Sequence, residues 1–203
     1  MKRFCLLSPL LVGFLLLVTA DAMPVLRSLV PIEIHVQLKS GDLIFRQGTD
    51  AVSAAVLAGK AKSIYSHVGM IMVKDGVPWV IHSVPAETES EAGGVKLEPL
   101  DLFARSDRAI HVAIMRPRRM QADTGARAVS NALKLIGRPF DAAFNLQDDS
   151  EIYCTELVAR AYFPLNINLY QKLQAVQLPF ISGYFLLPQD IFEQSQLTKV
   201  LVL

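Results

Sequence analysis

The sequence has very little cysteine. Its 203 residues include only Cys5 and Cys154, and Cys5 lies in an N-terminal apolar segment that we expect to be removed. One remaining cysteine cannot form an intramolecular disulfide, so the mature chain is not a disulfide-stabilised fold. An unpaired thiol in an exported protein is either a small buried apolar residue or a reactive group. Both alternatives stay open for Cys154 at this point.

The chain also lacks an excess of charge of one sign. It holds 20 lysines and arginines against 19 acidic residues, and 18 of each remain once Lys2, Arg3 and Asp21 leave with the N-terminal segment. No basic stripe with interleaved aromatic residues is present. A balanced chain without such a stripe lacks the electrostatic footprint of a nucleic-acid-binding protein. We therefore expect no nucleic-acid partner.

Sequence motifs for cofactors and metals are missing as well. There is no G-x-G-x-x-G, no P-loop and no G-x-S-x-G. The four histidines and the single mature cysteine show neither C-x-x-C nor H-x-x-x-H spacing. We expect no cofactor and no metal.

The N-terminal segment has the layout of a secretory signal peptide over residues 1–22. Two basic residues precede an apolar run from Phe4 to Val18, and an A-x-A cleavage pattern ends at Ala22. A transmembrane anchor is the alternative, but the run is shorter than the roughly 20 residues that span a bilayer. We expect export across the inner membrane to the periplasm.

The rest of the chain is long enough for one domain with a real core. We expect a linker over 23–37 and a single domain over 38–203. Turn signals and apolar runs predict strands at Leu43–Arg46, His67–Val73, Trp79–Val84 and 109–117, with a hairpin turn at Asp75-Gly76. Residues 85–99 are expected to form a loop over the end of the sheet, and 184–192 a strand followed by a turn.

Three helices are expected between and after these strands. One covers 49–62, capped by Thr49 or Asp50 and ended by Gly59. A second, amphipathic helix covers 123–137. A third carries Cys154 and starts at Ser150 or at the Tyr153–Cys154 junction. Strands in hairpins with segregated helices indicate an α+β fold rather than alternating βαβ units.

Cys154 at a helix start would be a candidate nucleophile. The helix dipole and free N–H groups favour the thiolate there, and an adjacent imidazolium would lower the pKa of the thiol further. Asp148, Asp149 and Glu151 act in the opposite direction if they lie close. A low pKa therefore needs a histidine partner.

Two of the four histidines are placed to act together. His67 and His82 lie on the two arms of one predicted hairpin, so one can be a base and the other can orient it. The alternative is a pair of hydrogen-bonded structural histidines. His35 at the edge of the linker and His111 at a strand start are expected to have no catalytic role.

The sequence motifs around these residues resemble those of a known family. GDLIF, followed by YSHVGMIM, is similar to the histidine block of the NlpC/P60 superfamily of papain-like cysteine hydrolases. In that superfamily the cysteine helix precedes the block, whereas here EIYCTELV follows it. The order resembles the circularly permuted branch, the YiiX/YaeF-like permuted papain-like amidases. The resemblance spans residues 38–163 and implies a permuted papain-like α+β fold, with an antiparallel sheet or small barrel packed against helices.

The resemblance also implies roles for individual residues. Cys154 would be the nucleophile, His67 the general base and His82 the orienting third residue, although close relatives carry glutamate at that last position. Tyr65 and Tyr153 are candidates for lining the substrate pocket, with aromatic packing as the alternative. Asp42 is expected to be structural.

The implied activity is a thiol-dependent hydrolase that forms an acyl-enzyme. Its substrate would be an amide in a cell-wall peptide or a related molecule. The alternatives are a lipid-directed acyltransferase or esterase, or a catalytically silent envelope binding module. The expected partner is thus a peptide or acylated envelope substrate, with lipid a possible one. The apolar tail around LPFISGYFLLP is a candidate acyl pocket, with core packing as the alternative.

Overall fold

The computed structural model describes residues 26–86, 92–118, 120–121, 123–178 and 181–203. The expected signal peptide at 1–22 lies outside these residues. The strands are β1 Leu43–Gly48, β2 His67–Lys74, β3 Val77–Val84, β4 Gly94–Pro99, β5 Ala109–Pro117, β6 Gln174–Leu178, β7 Ile181–Phe185 and β8 Leu197–Val202. The helices are α1 Ile32–His35, α2 Ala51–Ala58, α3 Leu100–Phe103, α4 Thr124–Leu133, α5 Cys154–Tyr162 and α6 Pro188–Phe192.

Six of the strands form one antiparallel sheet in the order β4-β3-β2-β1-β5-β8. Within the described residues its two edge strands do not pair with each other, so the sheet is open and is not a closed barrel. The strands β6 and β7 form a separate hairpin. The expectation of an α+β fold with an antiparallel sheet is confirmed, and the small-barrel alternative is wrong.

Each face of the sheet carries its own apolar core. On one face, Val68, Met70 and Ile81 pack against α4 and α5. On the other face, Ile44, Ile71 and Phe103 form a second cluster. Because the side chains of a strand alternate between faces, β2 contributes to both cores. The sheet is thus buried on both sides, and α5 is fixed against its centre.

Local signals explain the start of α2 and the turn between β2 and β3. The Asp50 carboxylate accepts a hydrogen bond from the Ser53 N–H at 2.8 Å and caps α2. Both Asp75 and Gly76 have positive φ, as the tight turn between β2 and β3 requires. Asp42 is fully buried and bonds Arg116 through both carboxylate oxygens, at 2.6 and 2.7 Å. Its expected structural role is consistent with this pairing.

Two sequence predictions about secondary structure are wrong. Part of the expected loop at 85–99 is the edge strand β4, because Val95 and Leu97 alternate into the first core and pair with β3. The expected turn after the strand at 184–192 is instead the short helix α6, which has Pro188 at its first turn. Within the described residues, no helix is long and apolar enough to cross a membrane.

Candidate active site

Cys154 is the first residue of α5, and hydrogen bonds fix the chain on both sides of it. The Ile152 carbonyl accepts from the Ser83 hydroxyl at 2.5 Å, and the Ile152 N–H donates to the Pro139 carbonyl at 2.9 Å. The Thr155 hydroxyl donates to the Leu186 carbonyl at 2.7 Å. Of the two expected helix starts, the Tyr153–Cys154 junction is the observed one. The thiol therefore lies at a rigid helix N-terminus.

The environment of the thiol favours its neutral form. Burial raises the pKa of Cys154 to about 11, against the opposing effect of the nearby Val68 and Thr155 N–H groups. The residue is 7% exposed. Because Val68 directly follows His67, the influence of its N–H on the thiol is consistent with a sulfur close to the start of β2. The thiolate that an imidazolium would stabilise is thus not the resting form.

The two hairpin histidines are in direct contact. His67 Nε2 lies 2.9 Å from His82 Nδ1, a hydrogen-bond distance. Burial lowers the pKa of His67 well below its usual value, and the neighbouring charges of Arg46 and Lys96 add to this effect. Burial also lowers the pKa of His82. Both rings are therefore neutral at physiological pH.

A carboxylate that the sequence analysis missed continues this chain of contacts. Glu98 Oε1 lies 3.0 Å from His82 Nε2, and Glu98 Oε2 lies 3.3 Å from the Arg108 guanidinium. Burial alone would raise the pKa of Glu98, but contacts with His82, Lys96 and Arg108 outweigh it and lower the pKa. The sequence signal that could have identified Glu98 is the alternation of apolar and charged residues over 95–98. In a strand paired with β3, this alternation places Glu98 on the same face of the sheet as His82.

Phe103 and Arg46 complete the surroundings of the histidine pair. The Phe103 ring stacks on His67 at 5.5 Å and meets His82 edge-on at 5.1 Å. The Arg46 guanidinium lies 4.6 Å from the centre of the same ring and donates to the Phe103 carbonyl. No sequence pattern had indicated either residue. Together they place an apolar ring and a positive charge beside the two imidazoles.

One cavity connects the nucleophile candidate with the base candidate. It has a volume of about 460 Å³ and opens where β2 begins and β3 ends. Its lining includes Cys154, His67, Arg46, Arg108, Phe140 and Phe144. Cys154 reaches this cavity from the α5 face of the sheet, and His67 reaches it from the Phe103 face. The structure thus brings together Cys154, His67 and His82 from opposite ends of the chain.

The two tyrosines proposed for substrate binding have packing environments instead. The Tyr65 ring contacts Phe45 and Phe192 at 5.8 and 4.6 Å. Tyr153 is buried and its ring meets Phe144 edge-on at 5.3 Å. Neither is among the described residues that line the cavity. A substrate-binding role for either tyrosine stays a prediction.

The comparisons with known proteins agree with this architecture. The model of the permuted papain-like amidase enzyme family, YaeF/YiiX, C92, matches residues 37–201. The uncharacterized protein YiiX of Escherichia coli K12 is 25% identical over an alignment of 184 residues, with coverage of 81% of this chain and 86% of YiiX. A crystal structure of YiiX from Escherichia coli O157:H7, described as a metalloprotein, has a TM-score of 0.66 at 24% identity, with coverage of 81% of this chain and 97% of that one.

A metal centre does not fit the residues described in this chain. They contain no group of three or more histidine, cysteine or acidic side chains that could hold an ion. His67 Nε2 and His82 Nδ1 contact each other, and His82 Nε2 lies 3.0 Å from the Glu98 carboxylate.

The family match covers most of the chain and includes both the histidine hairpin and the cysteine helix. The open antiparallel sheet, with the cysteine helix after the histidine strand, is the permuted arrangement that the sequence order predicts. On these grounds the chain belongs to the permuted papain-like amidase family of the YaeF/YiiX type, a family of cysteine hydrolases.

Proposed function

We propose that this protein hydrolyses an amide bond through a covalent acyl-enzyme on Cys154, with His67 as the base and His82 as its orienting partner. The observation that carries the proposal is that Cys154 and His67 line one cavity while His82 engages His67 Nε2 at 2.9 Å. That contact leaves His67 Nδ1 as the ring nitrogen free to take the thiol proton.

The contacts also define one consistent set of proton positions. His67 carries its proton on Nε2 and donates it to His82 Nδ1. His82 then carries its own proton on Nε2, facing the Glu98 carboxylate at 3.0 Å. Glu98 accordingly fixes the tautomer of His82, and His82 fixes that of His67. This arrangement prepares His67 Nδ1 as a proton acceptor.

In the first half of the reaction, the Cys154 sulfur attacks the amide carbon as its proton moves to His67 Nδ1. The N–H groups at the start of α5 donate hydrogen bonds to the developing oxyanion. The carbon–nitrogen bond then breaks, and His67 returns the proton to the leaving amine. The acyl group remains on sulfur as a thioester.

In the second half, water replaces the amine. His67 takes a proton from water, whose oxygen bonds to the acyl carbon. The carbon–sulfur bond breaks, the carboxylic acid leaves, and the proton returns to the thiol. Because both groups start neutral, the proton moves during attack and not before it. This distinguishes the site from one with a preformed thiolate–imidazolium pair.

We propose that the enzyme acts in the periplasm, which rests on the signal-peptide layout of residues 1–22. A cell-wall peptide is the substrate class suggested by the superfamily, and an acylated envelope molecule is the other. The two substrate classes differ in the group that would lie beside Cys154, which is a peptide in the first case and an acyl chain in the second.

Purified protein incubated with an acyl anilide and with a cell-wall peptide tests the proposed activity. We expect Cys154→Ala to abolish amide hydrolysis and His67→Ala to lower kcat by about 10²- to 10⁴-fold, the usual contribution of a general base. Mass spectrometry should detect an acyl adduct on Cys154 in the wild type.

His111→Ala is the matched control, because His111 is exposed on β5 and lies outside the described lining of the cavity. Equal losses in His67→Ala and His111→Ala would contradict the assignment of the base. If neither the acyl anilide nor the cell-wall peptide gives turnover or an adduct on Cys154, the proposal is overturned. That result would favour a catalytically silent binding module.

A further inference from the structure

An apolar groove lies beside the catalytic cavity. It has a volume of about 340 Å³, and apolar residues form its entire described lining. The walls come from α2, from the loop between α4 and α5, and from the β6–β7 hairpin. The lining includes Ala55 and Val56 of α2, Phe140 and Phe144 of the loop, and Val176 and Phe185 of the hairpin. This surface offers no side-chain hydrogen-bond partner to a bound molecule.

The groove and the catalytic cavity are adjacent and share part of their lining. The shared residues are Ala51, Val52, Val56, Phe140 and Phe144. All five are apolar, so the shared lining puts no polar side chain between a ligand in the groove and the space that Cys154 lines.

Phe144 stands at the junction of the two spaces. Its ring meets Tyr153, the residue before the nucleophile, at 5.3 Å and Phe185 of the groove wall at 6.2 Å. Its φ of 54° lies in the left-handed region, which is strained for an aromatic residue. The Asp141 carboxylate accepts hydrogen bonds from the N–H groups of Ala143 and Asn145 and holds the loop on both sides of Phe144. The loop thus keeps an apolar ring between nucleophile and groove.

We propose that the groove binds an unbranched hydrocarbon chain on the acyl side of the scissile amide, an inference that rests on the proposed function. The chain is assigned to the acyl side because Phe144 links the groove to the residue next to the sulfur that carries the acyl group. A peptide backbone is disfavoured, because its polar groups would lose water without gaining side-chain partners.

The volume sets the expected chain length. An engineered cavity of about 150 Å³ accepts benzene, so a groove roughly twice that size accommodates about a dozen carbon atoms. Each buried methylene should tighten binding by about threefold to fourfold. Affinity should therefore keep rising well beyond the length of any amino-acid side chain.

Binding to the Cys154→Ala full-length protein tests the groove without requiring catalysis. The probes are N-acylglycine amides with acetyl, hexanoyl, decanoyl and tetradecanoyl chains, titrated below their micelle concentrations. We expect affinity to rise from acetyl through decanoyl and to level off near the tetradecanoyl chain. The wild-type kcat/KM for hydrolysis of the same series should follow the same order.

Two tryptophan substitutions on α2 form a matched pair. Ala55→Trp fills the groove, and we expect it to weaken binding of the decanoyl probe by at least tenfold. Ala54→Trp adds the same side chain at an exposed position of the same helix that does not line the groove, and we expect no change. Val52→Asp, at a solvent-exposed site in the first turn, is a second groove variant should Ala55→Trp fail to fold.

The outcomes separate this inference from the proposed function. Binding that is independent of chain length, or that levels off at about four carbons, would overturn the hydrocarbon assignment, and the latter result would indicate an apolar amino-acid side chain. Cys154-dependent hydrolysis of amides could still stand in either case. Conversely, chain-length-dependent binding without any turnover would support the groove and overturn the proposed hydrolysis.

Discussion

At the residue scale, burial holds both Cys154 and His67 in their neutral forms. The pKa of the thiol rises to about 11, and that of the imidazole falls. A reactive cysteine is commonly expected to be a thiolate, and the sequence analysis made a low pKa of Cys154 depend on a histidine partner. The structure instead favours a neutral pair in which attack and proton transfer occur together.

This neutral pair predicts the pH dependence of Cys154 alkylation. Because only the thiolate reacts, the rate with iodoacetamide should rise about tenfold per pH unit from pH 7 to pH 9. No plateau is expected below about pH 10, since the pKa lies near 11. A free thiol measured in the same buffers levels off near pH 8.5 to 9.5. A plateau of the protein rate near pH 6 would contradict the neutral pair.

Glu98 supports a second prediction at this scale. It touches neither thiol nor substrate in the described contacts and acts through His82, so it is a positioning residue. Glu98→Gln should lower kcat by about 10- to 100-fold with little change in KM, since a misoriented base costs up to this much. The acid limb of the pH profile should also move to lower pH, because the Glu98 charge raises the pKa of His82.

Asp101→Asn provides the control for Glu98→Gln. Asp101 is an exposed carboxylate three residues later on α3, and its loss should leave kcat and the pH profile unchanged. A change in KM alone for Glu98→Gln would place Glu98 in substrate binding instead.

The sequence indicated the site residues unevenly. The proximity of Cys154, His67 and His82 could be predicted, because an unpaired cysteine is conspicuous and a D-G turn fixes which strand positions face each other; their catalytic roles stay predictions. Arg46 and Phe103 were not predictable, because they come from a strand and a helix whose pairing follows from the sheet order. Their contacts are non-local, and no spacing in the chain encodes them. For Glu98 the alternation of residues 95–98 was available, but the sequence analysis predicted a loop over 85–99.

At the element scale, β2 needs glycine at position 69 for the histidine pair to form. A Cβ atom there would lie 2.5 Å from Val80 Cγ1 and 3.2 Å from His82 Cβ on the neighbouring strand. Gly69 thus gives His82 the room to approach His67. The close approach, and not an unusual backbone conformation, is what requires glycine.

Gly69→Ala should therefore displace β3 locally and separate the two imidazoles. We expect kcat to fall by about tenfold or more, with a loss of about 1–3 kcal/mol in the free energy of unfolding from overpacking. Adding Val80→Ala removes the closest clash, so the double variant should regain part of the activity. Full activity in Gly69→Ala alone would show that His82 does not need this spacing.

The prediction of secondary structure failed where few residues carried the strand pattern. The strand β4 offers only Val95 and Leu97 as alternating apolar residues, after two glycines, and the pairing with β3 completes it. The hairpin of β2 and β3 was predictable because its turn residues have a specific conformational requirement. The sequence therefore predicted element boundaries that depend on turn residues better than boundaries that depend on pairing with a distant strand.

At the scale of the whole molecule, the site assembles from the chain's two halves. The hairpin with His67 and His82 precedes the helix with Cys154, and the sheet brings both to one cavity. The two buried histidines couple this assembly to pH. In the unfolded chain each has a pKa near 6.5, whereas burial lowers both values in the folded protein.

This coupling predicts how stability depends on pH. Below about pH 6.5 the unfolded chain binds more protons than the folded one, so stability falls as pH decreases. The slope should approach about 1.4 kcal/mol per pH unit for His67, whose pKa lies well below its usual value, with a further contribution from His82, measured by urea unfolding between about pH 6.5 and 5. His67→Asn should reduce the slope, and the double variant with His82→Asn should reduce it further. His111→Asn, at an exposed site, should leave it unchanged, so an unaltered slope in the double variant would contradict the assignment to the buried pair.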